Sequence, residues 1–457
     1  MVTIYFDKQL FSYLFNAKEE KYIILRDKIL SHKDDFVFLF SDAHLLDLQQ
    51  DSTDIKYKEM DFMQSIVGEN CLICKDSNIV VANESPRSAF SHFANTQQLS
   101  WLDNFDLSQI PKEQYDFINN AIDLSIKDLK GELELDWITK RTPIHTNELN
   151  VNKDEFSSFL KFVMANLYDK KDTYKAMRDV AMENYNPTKI TADGDRVFND
   201  QLSSSPLGLS FINLIKAVSN QLGMSSLGFG MAYFLSYTLL DLLGICREPR
   251  KKVKIRNMQT DSFHSFFGTY CDCIVSDDEG VRDKSKILYR LFNVETQVYS
   301  IDEFIGQFDK AINDNRKTAR EYFDEIRNDY EQKEVLHTEN HSEYTITQLK
   351  AAHKYFGYFN HIFERESKDG TVIMLHKNIN IKNSIYVHEV EIIVNRITRI
   401  FNSMGAEIKL FDKETDWEQI RSENWRRGVD FNDAEAYLAK FKDIPALFFL
   451  IEFKNPN

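Results

Sequence analysis

FVFLFSDAHLLDL, residues 36–48, decides how this chain folds. Phe36 to Phe40 is an unbroken apolar run of strand length that stops at Ser41-Asp42. A strand with one wet face alternates apolar and polar side chains, whereas a parallel strand covered on both faces reads as continuous apolarity. The residues beginning DAHLLDL then take up helical spacing, with Asp42 placed to cap the helix. Upstream, Thr3 to Phe6 is a second β-rich run ending at Asp7, followed by Leu10, Tyr13 and Leu14 at helical spacing. The opening therefore reads β-α-β-α, which predicts an α/β fold built on a parallel sheet.

The 457 residues carry 71 acidic and 56 basic side chains, a formal charge of −15. With 43% hydrophobic and 13% aromatic residues, there is ample material for a core, and disorder throughout is excluded. Domains of about 150 residues each make two or three of them the expectation. The acidic balance argues against non-specific wrapping of duplex DNA but leaves room for a local basic groove. Five cysteines, an odd count at low density, point to a reducing compartment rather than a disulfide framework. MVTIYFDKQLF lacks the cationic region and long apolar run of a signal peptide. Leu227 to Cys246 is mostly apolar but includes Asp241 and three glycines, and Leu209 to Leu222 carries Lys216 and Asn220. Both read as buried core helices, so no membrane association and a cytoplasmic location are expected.

Four regions follow. Residues 1–84 form the first part of the α/β core, and 85–246 an all-helical insertion, typified by Glu155 to Leu167 with Pro143, Pro187 and Pro206 at joints. Residues 247–312 return to the α/β pattern, with a helix at Thr260 to Tyr270, a strand at Cys271 to Ser276 and a helix at Lys284 to Leu291. A strand at Thr296 to Ser300 and a helix at Ile301 to Phe308 close this region. Residues 313–457 form a small α+β domain, starting with a charged solvated helix or hinge (Asn313 to Glu334). Strands at Thr371 to Leu375 and Ala446 to Phe453 and an amphipathic helix over Val387 to Met404 complete it.

Four acids stand at element ends in the α/β part. Asp7 closes the first strand, Asp47 lies about a turn and a half into the helix after the second, Asp261 opens a helix behind Thr260, and Asp278 follows CDCIVS. In a parallel sheet the carboxyl ends of strands and the starts of the following helices share one edge, where ligands bind. Carboxylates gathered there repel unless a cation neutralises them, and Mg²⁺ takes few carboxylates plus water and phosphate. Such a site activates water and stabilises a leaving oxygen in phosphodiester cleavage. A single Asp at a strand end is more often a cap, so the set rather than any one member carries the reading.

These residues resemble the PIN-domain (PilT N-terminal-like) nucleases. That family opens with a strand ending in Asp, matched by IYFD and Asp7. It has a Ser at the end of the second strand with an acid six positions on, matched by Ser41 and Asp47 in FSDAHLLDL. Its third acid begins a helix leading to a strand that ends in Thr/Ser-x-Asp, matched by TDSFHSFFGTYCDCIVSDD with Asp261, Ser276 and Asp278. The Lys-bearing helix and short final strand correspond to DKSKILYRLFNVETQVYS. The resemblance spans roughly residues 1–80 and 257–308, leaving a large helical insertion and an extra C-terminal domain outside it. It implies an endonuclease holding Mg²⁺ or Mn²⁺ through Asp7, Asp47, Asp261 and Asp278, with Asp272 and Asp277 competing for the fourth place. It also implies single-stranded RNA, ahead of single-stranded or flap DNA, as substrate, and a toxin-like or defence role. A homo-oligomer or a regulatory protein partner fits the insertion and tail. The alternative is a non-catalytic binding or assembly module that keeps the fold.

His264, three residues after Asp261 on one helical face, is placed to orient substrate or water, although a packed histidine is the commoner outcome. Ser276 either hydrogen-bonds an acid or ends its strand. The connector REPRKKVKIR offers Arg250, Lys251, Lys252 and Lys254 as phosphate contacts leading towards Asp261. Cys71-x-x-Cys74 has zinc-knuckle spacing without a second pair, and Cys271 and Cys273 are expected on one face, all as buried thiols. Trp417 and Trp425, near Arg421, Arg426 and Arg427, are expected in a helix or interface rather than stacking on bases.

Overall fold

The computed structural model describes residues 1–75, 78–95, 178–179, 182–183, 185–192, 197–221, 229–246, 255–377, 386–422, 425–431, 433–441 and 446–453. Within them the protein is mixed α/β, with two separate sheets. The first contains β1 (Thr3–Phe6), β2 (Val37–Ser41), β3 (Asn70–Lys75), β4 (Asn78–Asn83), β5 (Cys273–Val275) and β6 (Gln297–Tyr299) in the order β4-β3-β2-β1-β5-β6. β1 runs parallel to both β2 and β5, β2 to β3 and β5 to β6, while β4 returns antiparallel beside β3.

The unbroken apolarity of β2 has the expected cause. Val37 and Leu39 enter one core and Phe36, Phe38 and Phe40 the other, so both faces are covered. One face receives α1 (Lys8–Asn16), α2 (Glu20–His32), α4 (Ile55–Val67) and α11 (Ile301–Asp314), through Leu10, Leu14, Leu25, Met60, Phe304 and others. The strand ends lead into helices through side-chain caps: Asp7 accepts from Leu10 N–H to start α1, and Ser41 caps α3 (Asp42–Gln50). Asp42, expected to cap α3, is instead its first residue, because the Ser41 hydroxyl already accepts from Ala43 N–H.

Of the insertion, α5 (Pro86–Asn95), α6 (Val197–Gln201), α7 (Phe211–Gln221) and α8 (Phe229–Leu242) are described. Pro206 lies in the turn between α6 and α7, as expected of a joint. Glu155 to Leu167 and Pro143 lie outside the described residues. No helix among the described residues is long and apolar enough to cross a membrane. α8 packs on α9 (Ile255–Gly268) and α10 (Glu279–Leu291) over the second face of the parallel sheet.

α12 (Ala319–Gln332) is not simply solvated: a Thr318/Glu321 capping box starts it, and Tyr322, Ile326 and Asp329 are buried. The second sheet follows, with β7 (Val335–Asn340), β8 (Tyr344–Leu349), β9 (His361–Ser367), β10 (Gly370–His376), β11 (Trp425–Asp430), β12 (Ala434–Lys440) and β13 (Leu447–Phe453). All its pairs are antiparallel, in the order β11-β12-β13-β10-β9-β8-β7. α13 (Tyr386–Ser403) sets Val390, Ile393, Val394, Ile397 and Phe401 into the core shared with Ile373, Leu375 and Phe449. α14 (Thr415–Ser422) lies before β11. Trp425 is buried, its Nε1–H donating to Asp416 Oδ1 at 3.2 Å, and Arg427 pairs with the same carboxylate at 2.7 Å. Both tail tryptophans thus serve packing, Trp417 lying edge-on to Phe411.

Asp272 joins the two parts of the molecule. Its carboxylate accepts from Val2 N–H and meets Lys354 at 3.1 Å and Lys377 at 3.2 Å; Lys377 also pairs with Glu389. Burial alone would raise the Asp272 pKa, but the two lysines override it and hold the carboxyl well below its usual range. Cys71, Cys271 and Cys273 are buried free thiols. Cys271 and Cys273 face different cores, not one, because β5 begins only at Cys273.

Candidate active site at the carboxyl edge of the parallel sheet

Strand order turns at β1: the chain moves outward through β2 and β3, then returns to place β5 on the other side. A crevice at such a switch point, beyond the carboxyl ends of the strands, is where open α/β sheets bind ligands. Asp7 stands there. Its backbone N–H donates to Val275 O at 3.0 Å, which ties it to the end of β5. Its buried carboxylate accepts from Leu10 N–H at 3.0 Å and from the Ser276 hydroxyl. Burial pushes the Asp7 pKa up; Ser276, His264 and the Leu10 N–H oppose this, and the Asp47 charge reinforces it. The Asp47 charge is thus one of the causes that keep the Asp7 pKa up.

A second set of contacts holds Asp47. His264, on α9, has Nε2 3.0 Å from Asp47 Oδ2 and Nδ1 2.9 Å from the Tyr5 hydroxyl. That hydroxyl is 2.6 Å from Ser41 Oγ. Tyr5 is fully buried, and burial raises its pKa well above the usual phenol value. His44, at the third position of α3, completes the cap: Ser41 N–H donates to its Nδ1 at 3.0 Å, so Nε2 carries the proton and donates to Phe6 O at 2.8 Å. The ring is fully buried, and burial, with His264 nearby, pushes its pKa well below the ordinary imidazole value.

The other expected residues fall into four groups. Asp278 caps α10 by accepting from Val281 N–H at 3.1 Å, and its own N–H donates to Ser276 Oγ at 3.1 Å, while Asp277 is exposed in the turn. Asp261 does not open its helix. The described part of α9 already runs from Ile255, which puts Asp261 at least a turn and a half inside the helix, three residues before His264. Asp272 is not part of this edge: it precedes β5, whereas Ser276 follows it, and its charge is matched by Lys354 and Lys377. Arg250, Lys251, Lys252 and Lys254 lie outside the described residues.

Two side chains beside the site were not among those expected from sequence. Arg282, in the first turn of α10, donates through Nη1 to Ser276 O at 3.0 Å. Its signal is a cation placed one turn beyond a strand-ending Ser-x-Asp. Tyr5 offers no local signal.

Among the described residues no group of three or more His, Cys, Asp or Glu side chains is disposed to hold a metal ion. The four-acid cage is therefore not preassembled. Mg²⁺ needs less: one or two carboxylates, the remaining positions filled by water and phosphate. Asp7, its pKa raised by burial and in part by the Asp47 charge, and the partly exposed Asp47 are the two carboxylates of this edge that could serve such an ion. No protein-family model, curated protein or solved structure matches this chain.

Proposed function

We propose that this edge is the active site of a divalent-metal-dependent endonuclease of PIN type, acting on single-stranded RNA. One observation carries the reading: Asp7 is buried at the switch point of a parallel sheet under the Ser276 hydroxyl, with the Asp47 charge among the causes that raise its pKa. Asp7 and Asp47 would hold Mg²⁺ or Mn²⁺, which supplies an activated water and charge neutralisation to phosphodiester hydrolysis. Ser276 fixes the Asp7 carboxylate, and Asp278, through its N–H, fixes Ser276. The amino ends of α1, α3 and α10 all follow strand ends at this edge, and their dipoles favour a phosphate there. Arg282 stands beside Ser276 as a neighbouring cation. The RNA preference and a toxin-like or defence role rest on the family resemblance.

The non-catalytic module is the second reading, favoured by the capping work of Asp7 and Asp278. Cleavage assays of the full chain with Mg²⁺ and Mn²⁺ on single-stranded RNA, single-stranded DNA and flap DNA separate them. Metal-dependent cleavage lost in Asp7→Asn and Asp47→Asn supports the nuclease, and the preferred strand identifies the substrate. Absence of cleavage across metals and substrates supports the module.

A further inference from the structure

We propose that Tyr5 and His264 are positioning residues that aim Asp47 at the metal; this deepens the nuclease reading and rests on it. The hydrogen-bond directions follow from donor chemistry. A carboxylate only accepts, so His264 Nε2–H donates to Asp47 Oδ2 across 3.0 Å. In the neutral ring Nδ1 then accepts, and the Tyr5 hydroxyl donates to it across 2.9 Å. Tyr5 in turn accepts from Ser41 Oγ–H across 2.6 Å, while Ser41 Oγ accepts from Ala43 N–H across 3.3 Å.

The chain runs Ser41 to Tyr5 to His264 to Asp47. It begins at the cap of α3 and ends on that same helix, passing through β1 and α9 on the way. Each link is buried except Asp47, whose side chain keeps 29% of its exposure. The one partly open member is thus the one with ligand chemistry. Its Oδ2 is committed to His264, and Oδ1 has no hydrogen bond among the described residues. Fixing one carboxylate oxygen fixes the direction of the other, which is how partners behind a ligating group raise metal affinity.

The test is Mn²⁺ titration of the full chain, followed by electron paramagnetic resonance of the free ion, alongside circular dichroism and RNA cleavage. Tyr5→Phe deletes one oxygen and breaks the relay. His264→Ala removes the clamp, and His264→Gln keeps an amide N–H for Asp47. Tyr5→Phe and His264→Ala are expected to weaken Mn²⁺ binding about 10- to 100-fold, with His264→Gln close to wild type. The metal concentration for half-maximal cleavage rises in step, while the rate at saturating metal recovers, a split that general destabilisation does not produce. Wild-type affinity in Tyr5→Phe and His264→Ala overturns the proposal and leaves the nuclease reading standing. Absence of Mn²⁺ binding by the wild type, or binding unchanged by Asp7→Asn and Asp47→Asn, overturns both. Should His264→Ala fail to fold, Tyr5→Phe alone decides.

Discussion

His264 Nε2 lies 3.0 Å from Asp47 Oδ2 although 217 positions separate the two residues. The contact closes the α/β unit: Asp47 arrives with the first run of strands, and His264 arrives only after the whole insertion. Packing of α9 on α3 is what brings them together. Perturbations of α9 should therefore register at Asp47.

Asp7→Asn is expected to separate function from folding. Asparagine caps a helix about as well as aspartate, so α1 keeps its start. The Asp7 pKa is raised above its ordinary value of 3.8, so the unfolded chain loses this proton first. Folding is then penalised above that pH, and the penalty is complete once the pH passes the folded pKa. At neutral pH the substitution removes the penalty, and the melting temperature holds or rises. What disappears is the gain on adding Mn²⁺, which for wild type at 100-fold over Kd amounts to about 2.7 kcal/mol. Thermal melts with and without Mn²⁺ check both parts; a large loss of metal-free stability contradicts the argument.

Asp272→Asn is expected to do the opposite. Removing the carboxylate leaves Lys377 with Glu389 alone and takes the partner of the partly exposed Lys354, at a cost of up to about 3 kcal/mol. The wild-type carboxyl has its pKa depressed below 3.8, so its stabilisation is complete above that value and fades as pH falls through the folded pKa. Denaturant titrations at neutral pH and near pH 3 should show the variant losing this acid-dependent component. Mn²⁺ affinity should hold while the protein is folded, since Asp272 and Ser276 flank opposite ends of a three-residue strand.

The parallel core is legible in the sequence because its strands are buried on both faces: runs such as VFLF announce themselves without context. Asp7 and Ser276 are legible for the same reason, each marking the end of such a run. Asp261 misleads because Thr260-Asp261 imitates a cap pair, although the helix already runs through Ile255 to Thr260 before it. The β3–β4 hairpin hides inside CLICKDSNIVVA, where the cysteine spacing draws attention from the strands on either side. In the second sheet only β10 and β13 read as strands. HIFERES and WRRGVD put charges on their open positions, so their patterns are set by neighbours no local window contains. The Tyr5–His264 contact spans 259 positions and leaves no sequence trace at all.

Gly268 tests how tightly α9 is pressed on the sheet. A Cβ there would stand 2.6 Å from the Tyr289 hydroxyl and 2.9 Å from Ile274 Cδ1. Gly268→Ala must shift α9 away from β5 and α10, at about 1–3 kcal/mol for overpacking. The shift displaces His264, one turn back, so Mn²⁺ affinity should fall as well. Gly306→Ala is the control: it lies within α11 with nothing within 4 Å of its added methyl, and should stabilise by about 0.5–1 kcal/mol. Urea titrations of the pair check the ordering, and equal effects at both sites contradict the close approach of α9.

His44 should make stability depend on pH in a window separate from the carboxylates. Its folded pKa lies well below 6.5, chiefly through burial and then through His264. Under acidification the unfolded chain binds a proton that the folded chain refuses. The contribution is therefore intact above pH 6.5 and is lost as pH falls below it, at up to about 1.4 kcal/mol per unit. His376 and His388, also depressed by burial, share in the wild-type slope. His44→Gln removes one share while its amide can still reach Phe6 O. The variant should be less stable than wild type at about pH 7.5, and the gap should narrow by about pH 5. Urea unfolding at the two pH values measures it, and a gap of constant size would mean that the unfolded and folded chains protonate this ring alike.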